Sequence, residues 1–192
     1  MTDELKEFLS RKDIKEALFK NDLKYCFDLL LNKIKGYFLI KEFNKLLMES
    51  KVNSLDYIDR IYPYQFNASK IENITIPKNI KIIGDSAFAN CADLKSVTIP
   101  YGVKSIGAWA FSCCAYLTNV TIGKSVTEIG YGAFYRCDGL TSVTIGKSVK
   151  RIGSYAFAFC SKLNDVTIPE KFKNSLPEIF GNNHSSINFK FI

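Results

Sequence analysis

The chain has 192 residues, 47% of them hydrophobic and 23% charged, with a formal net charge of +7. That composition supplies a buried core and excludes a disordered chain, and no apolar run approaches the roughly 18 residues of a membrane-spanning helix. The opening MTDELKEFLSRKD lacks the basic start, apolar run and small-residue cleavage site of a secretory signal, so the expectation is a cytoplasmic protein with no membrane segment.

Residues 1 to 52 carry apolar side chains at helical spacing, Leu5, Phe8 and Leu9, then Ile14, Leu18, Cys26, Leu29 and Leu30, then Phe38, Phe43, Leu46 and Leu47. The reading is a set of short helices, with Ser10 and Asn21-Asp22 as N-caps and Gly36 between two of them. Their apolar stripe is a core face, and the segment is expected to cap one end of the fold formed by the rest of the chain.

From Ile76 the sequence repeats every 23 residues without insertion or deletion: IPKNIKIIGDSAFANCADLKSVT, IPYGVKSIGAWAFSCCAYLTNVT, IGKSVTEIGYGAFYRCDGLTSVT and IGKSVKRIGSYAFAFCSKLNDVT. A fixed period of this length is the signature of a solenoid, in which each repeat buries its apolar face against its neighbours. Regular repeats occupy 76–167, with degenerate ones at 53–75 and 168–192, so the division is a helical cap over 1–52 and a solenoid over 53–192. Each repeat offers one strand around Leu94-x-x-Val97-x-Ile99 and its equivalents. A second, shorter extended piece such as Val103–Ile106 ends at a glycine of the column Gly84, Gly107, Gly130 and Gly153, where a turn that only glycine enters is expected. Ala-Phe pairs follow, Ala87-Phe88 through Ala156-Phe157, with the ring filling the space between the two extended pieces.

The pattern I-P-x-x-V-x-x-I-G-x-x-A-F-x-x-C-x-x-L-x-x-V resembles the BspA-type leucine-rich repeat over roughly residues 58 to 192. The resemblance implies an α+β protein, a leucine-rich-repeat solenoid with parallel strands stacked rung on rung behind a helical cap. Secreted members of that family act as adhesins that bind host proteins. The helical front makes this chain similar to short intracellular or phage-carried versions.

Candidate chemistry is sparse. Cys91, Cys114, Cys137 and Cys160 form a column, and four sulfurs stacked at the strand spacing of about 4.7 to 4.9 Å cannot surround one metal ion. They read as buried reduced thiols, with Cys113 the accessible one. The single histidine, His184, has no nucleophile and carboxylate set beside it in sequence, and the carboxylates Asp85, Asp93, Glu128, Asp138 and Asp165 are scattered over different columns. The reading is therefore a non-enzyme with no cofactor and no metal. An outward Thr column, Thr75 to Thr167, reads as strand-forming surface.

The positions that vary from repeat to repeat carry the functional expectation. Trp109, Tyr131, Tyr135, Tyr155 and Phe159 lie near the Ala-Phe pair with Arg136 and Arg151, and lysines recur in other columns, Lys124 and Lys147 among them. Trp, Tyr and Arg dominate protein interfaces, so these nine residues are the expected contact set for a partner protein. Between Ile76 and Ile168 there are 10 Lys and Arg against 5 Asp and Glu, which favours an acidic partner surface. A phage- or mobile-element-borne inhibitor of a host nuclease or defence protein fits the small size and positive field. An adhesin-like surface-binding protein is the alternative, and a nucleic-acid-binding solenoid a further one.

Overall fold

The computed structural model describes residues 2–20, 22–31, 36–49 and 58–192. Every strand in it pairs in parallel with the equivalent strand of the next repeat. One sheet holds five two-residue strands, β1 (Arg60–Ile61), β3 (Ile82–Ile83), β5 (Ser105–Ile106), β7 (Glu128–Ile129) and β9 (Arg151–Ile152). The other holds six longer ones, in spatial order β2 (Asn73–Thr75), β4 (Ser96–Ile99), β6 (Asn119–Ile122), β8 (Ser142–Thr144), β10 (Asp165–Ile168) and β11 (Asn188–Phe191). Val97 lies against Val120 and Ile106 against Ile129, so the sequence period is the pairing register. The first rung is one residue short. Arg60 pairs with Ile82 at a separation of 22, whereas Asn73 pairs with Ser96 at 23, and the missing residue falls in the turn where later rungs carry cysteine.

Alternation within the long strands follows from this stacking. In β4, Val97 and Ile99 are buried and Ser96 and Thr98 exposed, the pattern of a sheet with one face on the core. At the centre runs a column of phenylalanines, Phe66, Phe88, Phe111, Phe134, Phe157 and Phe180. Consecutive rings are stacked with centroids 5.0, 5.0, 5.2, 5.1 and 5.6 Å apart. That separation is close to one strand spacing, so flat rings fill the core at the pitch the hydrogen bonds impose.

The glycine column has a different reason from the expected turn. Gly84, Gly107, Gly130 and Gly153 are not at positive φ; instead, a Cβ on Gly130 would sit 2.5 Å from the Ala108 nitrogen, and one on Gly107 2.6 Å from the Asp85 nitrogen. Close approach of one rung's backbone to the next, rather than a turn conformation, demands glycine.

Among the described residues four helices precede the rungs: α1 (Asp3–Ser10), α2 (Lys12–Phe19), α3 (Leu23–Leu31) and α4 (Gly36–Glu49). Leu5, Phe8, Ile14, Cys26, Leu30, Phe43 and Leu47 are buried, and Leu9, Leu18 and Leu29 pack half-buried against them. Thr2 caps α1, its hydroxyl accepting from the Leu5 N–H at 3.3 Å, and Asp22 does the same for α3 through the Tyr25 N–H at 3.1 Å. Ser10 is not the cap of α2. It closes α1, its hydroxyl donating to the Glu7 carbonyl, and α2 starts at Lys12 with Arg11 at the N-cap and no side-chain cap. Gly36 is the first residue of α4, at the passage from one helix to the next, and the side chain of Phe38, the residue Asn21 and the boundary at 52–53 lie outside the described residues.

The helices cover the first rung. Phe27 stacks on Tyr62 at 4.9 Å and 17°, and the Tyr62 hydroxyl donates to Asp28 at 2.6 Å. Asn44 and Gln65, both buried, satisfy each other: the Asn44 amide donates to the Gln65 carbonyl and the Gln65 amide to the Asn44 side-chain oxygen, each at 3.2 Å. At the far end a 3-10 turn (Glu170–Ser175) and α5 (Leu176–Phe180) replace the short strand. Phe180 then meets Phe189 edge-on at 5.1 Å, closing the ring column.

Candidate aromatic interface

Each short strand leads into a turn that is also hydrogen-bonded rung to rung. Within it two positions take left-handed backbone angles in every regular repeat: Ser86, Trp109, Gly132 and Tyr155 with φ of 53 to 58°, and Asn90, Cys113, Arg136 and Phe159 with φ of 57 to 59°. For a bulky residue this conformation costs roughly 1–2 kcal/mol. The ladder offsets it, because left-handed angles aim these N–H groups at the next rung. Trp109 donates to the Tyr131 carbonyl at 2.8 Å, Tyr155 to Glu178 at 2.7 Å, Cys113 to Tyr135 at 2.7 Å and Arg136 to Ala158 at 3.0 Å.

Four of the nine expected interface residues, Trp109, Arg136, Tyr155 and Phe159, occupy these left-handed positions. With Tyr131 and Tyr135 they form a ridge of rings. Trp109 stands edge-on to Tyr131 at 4.9 Å and to Tyr135 at 5.3 Å; Tyr131 meets Tyr155 at 5.8 Å and Tyr135 meets Phe159 at 5.2 Å. Interplanar angles of 61 to 80° are the edge-to-face arrangement that ring quadrupoles favour. The network fixes the rings without hiding them: Tyr131 and Tyr155 remain 43% exposed and Phe159 47%. Arg136 stands exposed among them.

The other three expected residues are elsewhere. Arg151 lies on β9, on the short-strand sheet, where it is paired with Glu128 of β7 at 2.6 Å. Lys124 and Lys147 occupy the turn before the short strand, while the rings occupy the turn after it, so eight of the nine residues divide between two corners of the rung and Arg151 lies on the strand between them. Between those corners runs a groove of about 610 Å³ along the outer face of the short-strand sheet. It is floored by the glycine column and edged by Arg60, Ile82, Ser105, Glu128 and Arg151. No periodic signal marks this face, because its column changes type at every rung.

The cysteine column has a task beyond filling volume. Cys91 Sγ donates to the Phe66 carbonyl at 3.0 Å, Cys114 to Phe88 at 3.2 Å, Cys137 to Phe111 at 3.1 Å and Cys160 to Phe134 at 3.2 Å. Each thiol thus ties its rung to the carbonyl of the phenylalanine one rung back. In the last rung Asn183 takes over the position and donates to the Cys160 carbonyl at 3.2 Å. Burial pushes the Cys91 thiol up to about 11 and that of Cys160 to about 12, and raises Cys137 well above its ordinary value, so these sulfurs are protonated donors rather than nucleophiles. His184 is engaged locally, with Nδ1 2.8 Å from the Gly181 carbonyl oxygen. Among the described residues no helix is long and apolar enough to cross a membrane.

The chain is similar to solved leucine-rich repeat proteins. A leucine-rich repeat protein of T. pallidum matches at 30% identity with a TM-score of 0.57, over 58% of this chain and 53% of that one. One from Bacteroides capillosus matches at 27% identity with a TM-score of 0.49, over 56% of this chain and 83% of that one. A leucine rich cell surface protein of Faecalibacterium prausnitzii matches at 22% identity with a TM-score of 0.39, over 70% of this chain and 51% of that one. The chain thus spans about half the length of the T. pallidum protein. No protein of curated function matches the sequence. The family model of the BspA type leucine rich repeat region matches residues 59–187 in six copies, and the chain belongs to that family.

Proposed function

We propose that this solenoid is a protein-binding module and that its interface is the aromatic ridge of Trp109, Tyr131, Tyr135, Tyr155 and Phe159 with Arg136. One observation carries the reading: a connected edge-to-face network of five rings, three of them more than 40% exposed, held on a hydrogen-bonded backbone. Rigid, half-exposed aromatics and an arginine are the side chains that dominate protein interfaces, since they bury large area while losing little rotamer freedom. The backbone supports the same reading. Trp109, Arg136, Tyr155 and Phe159 stand at the left-handed positions of the turn, and the inter-rung hydrogen bonds that hold those angles fix where their side chains leave the backbone. Arg136 suits a partner with an acidic or mixed surface.

Leucine-rich repeats of this family are interaction or adhesin-like modules, and the ridge serves either role. The narrower identity, an inhibitor of a host nuclease or defence protein carried by a phage or mobile element, draws on size and charge alone, and neither the ridge nor the relatives add to it. Replacing Trp109, Tyr135 and Arg136 together by alanine tests the interface. The variant is expected to lose the proteins that the wild type captures from an extract of its native host while melting within a few degrees of it. Capture that survives the triple substitution places the interface elsewhere.

A further inference from the structure

The corner of the rung opposite the ridge carries a second surface. Lys78, Lys81, Lys104, Lys124, Lys147 and Lys150 are six of the ten Lys and Arg residues between Ile76 and Ile168. All six are exposed, and they fall in two adjacent columns, one in the turn before each short strand and one immediately preceding it. The second column is pinned by backbone hydrogen bonds: the Lys104 N–H donates to the Lys81 carbonyl at 2.7 Å, Thr127 to Lys104 at 2.8 Å and Lys150 to Thr127 at 2.7 Å. The charges therefore repeat at multiples of one strand spacing, about 4.7 to 4.9 Å. Lys81 reaches along the edge into the next corner turn, its ammonium 3.5 Å from where a Cβ on Gly102 would stand.

Elsewhere the repeats neutralise cross-rung charge, Lys95 with Glu72 at 2.8 Å and Arg151 with Glu128 at 2.6 Å. Along this edge, among the described residues, carboxylates enter the two columns only at the ends. Asp59 pairs with Arg60 at 3.3 Å at one end, and Glu170 lies at the other. Like charges stacked on neighbouring strands repel, and an external anion with the same linear repeat relieves that repulsion. Lysine is a point charge rather than a planar fork, so the row reads charge density along a line and not the shape of one group. Its single ring is Tyr101, 77% exposed, whereas single-stranded nucleic acid needs a succession of stacking platforms, and the succession of rings is on the other corner. We propose that this lysine edge is a binding site, distinct from the ridge, for a linear anionic polysaccharide carrying carboxylate or sulfate groups on successive sugars.

Heparin serves as the probe. A variant with Lys104, Lys124, Lys147 and Lys150 changed to glutamate is compared with one of identical net charge carrying Lys12→Glu, Lys15→Glu, Lys20→Glu and Lys162→Glu, all at exposed positions. The edge variant is expected to bind heparin about tenfold or more weakly at low salt, and the control variant close to wild type. Equal losses in the two variants overturn the site, as does an unchanged edge variant. Preferential binding to an oligothymidylate strand or to phosphatidylserine vesicles through the same four lysines overturns the assignment to polysaccharide. If the charge reversals prevent folding, the same four lysines changed to glutamine carry the comparison.

Discussion

The indole of Trp109 lies over Gly132 of the following rung, so close that a Cβ on that glycine would come within 2.6 Å of the Cε3 and Cζ3 atoms of the ring. Gly132 occupies the same left-handed column as Trp109 and Tyr155, and its missing side chain is the space in which the indole rests against Tyr131 and Tyr135. Gly132→Ala is expected to displace the ring and cost about 1 kcal/mol for the positive φ. Trp109 is the single tryptophan of the chain, so its fluorescence reports on the ridge without labelling. The emission maximum should move to longer wavelength in Gly132→Ala and stay unchanged in Gly146→Ala, where the nearest atom to a new Cβ is 3.8 Å away.

Phe134 is stacked between Phe111 at 5.2 Å and Phe157 at 5.1 Å, with interplanar angles of 4° and 6°. Phe134→Ala removes a fully buried ring from the middle of the column, and neighbouring rungs cannot collapse into the gap because their spacing is set by hydrogen bonds. The expected loss is about 3–5 kcal/mol in denaturant unfolding. A loss below about 1 kcal/mol would mean that the rungs close up around the missing ring.

The phenylalanine and cysteine columns are legible in the sequence because a fixed period with a fixed residue type admits one structural reading: the same place in successive rungs. The turn conformation is not legible. Trp109, Arg136, Tyr155 and Phe159 are poor candidates for left-handed backbone on propensity, and the inter-rung ladder that imposes it is a tertiary constraint. The period also assigns residues to columns without saying which columns share a corner, so Lys124 and Lys147 group in sequence with rings that lie beyond the short strand. Ser10 misleads for a simpler reason. It is the last residue of the first helix, and the next begins at Lys12 with only Arg11 between them.

Five of the six cysteines are buried, and Cys113 alone is partly exposed, on the left-handed column of the turn. Burial holds the Cys26 and Cys91 thiols near 11, so little thiolate exists at pH 8 even where reagent could reach. Brief treatment of the native protein with iodoacetamide at that pH should alkylate Cys113 and spare the other five until denaturant is added, as read by peptide mass spectrometry. Rapid labelling of Cys137 would show that the rungs open locally.

The junction between helices and rungs should respond to acid. Burial tends to raise the Asp28 carboxyl, but the hydrogen bonds from the Lys24 ammonium and the Tyr62 hydroxyl, each at 2.6 Å, more than offset it and hold the group below the usual carboxylate range. A lowered folded-state value means that this stabilisation is complete above the unfolded-state value near pH 4 and is lost as pH falls through the folded one. Tyr62→Phe removes one of those hydrogen bonds and is expected to cost about 1 kcal/mol at pH 7. The stability gap between wild type and variant, from urea titrations, should then shrink below about pH 4. A gap that is constant down to pH 3 would separate Tyr62 from the Asp28 charge.

The most direct measurement is site-specific photocrosslinking in extract of the native host, with a photoreactive phenylalanine analogue at Tyr155 or Phe159 on the ridge and, for comparison, at Thr121 on the exposed face of the long-strand sheet. An interface on the ridge gives a discrete crosslinked protein from Tyr155 and Phe159 and none from Thr121. The same protein crosslinked from Thr121 and not from the ridge would contradict it.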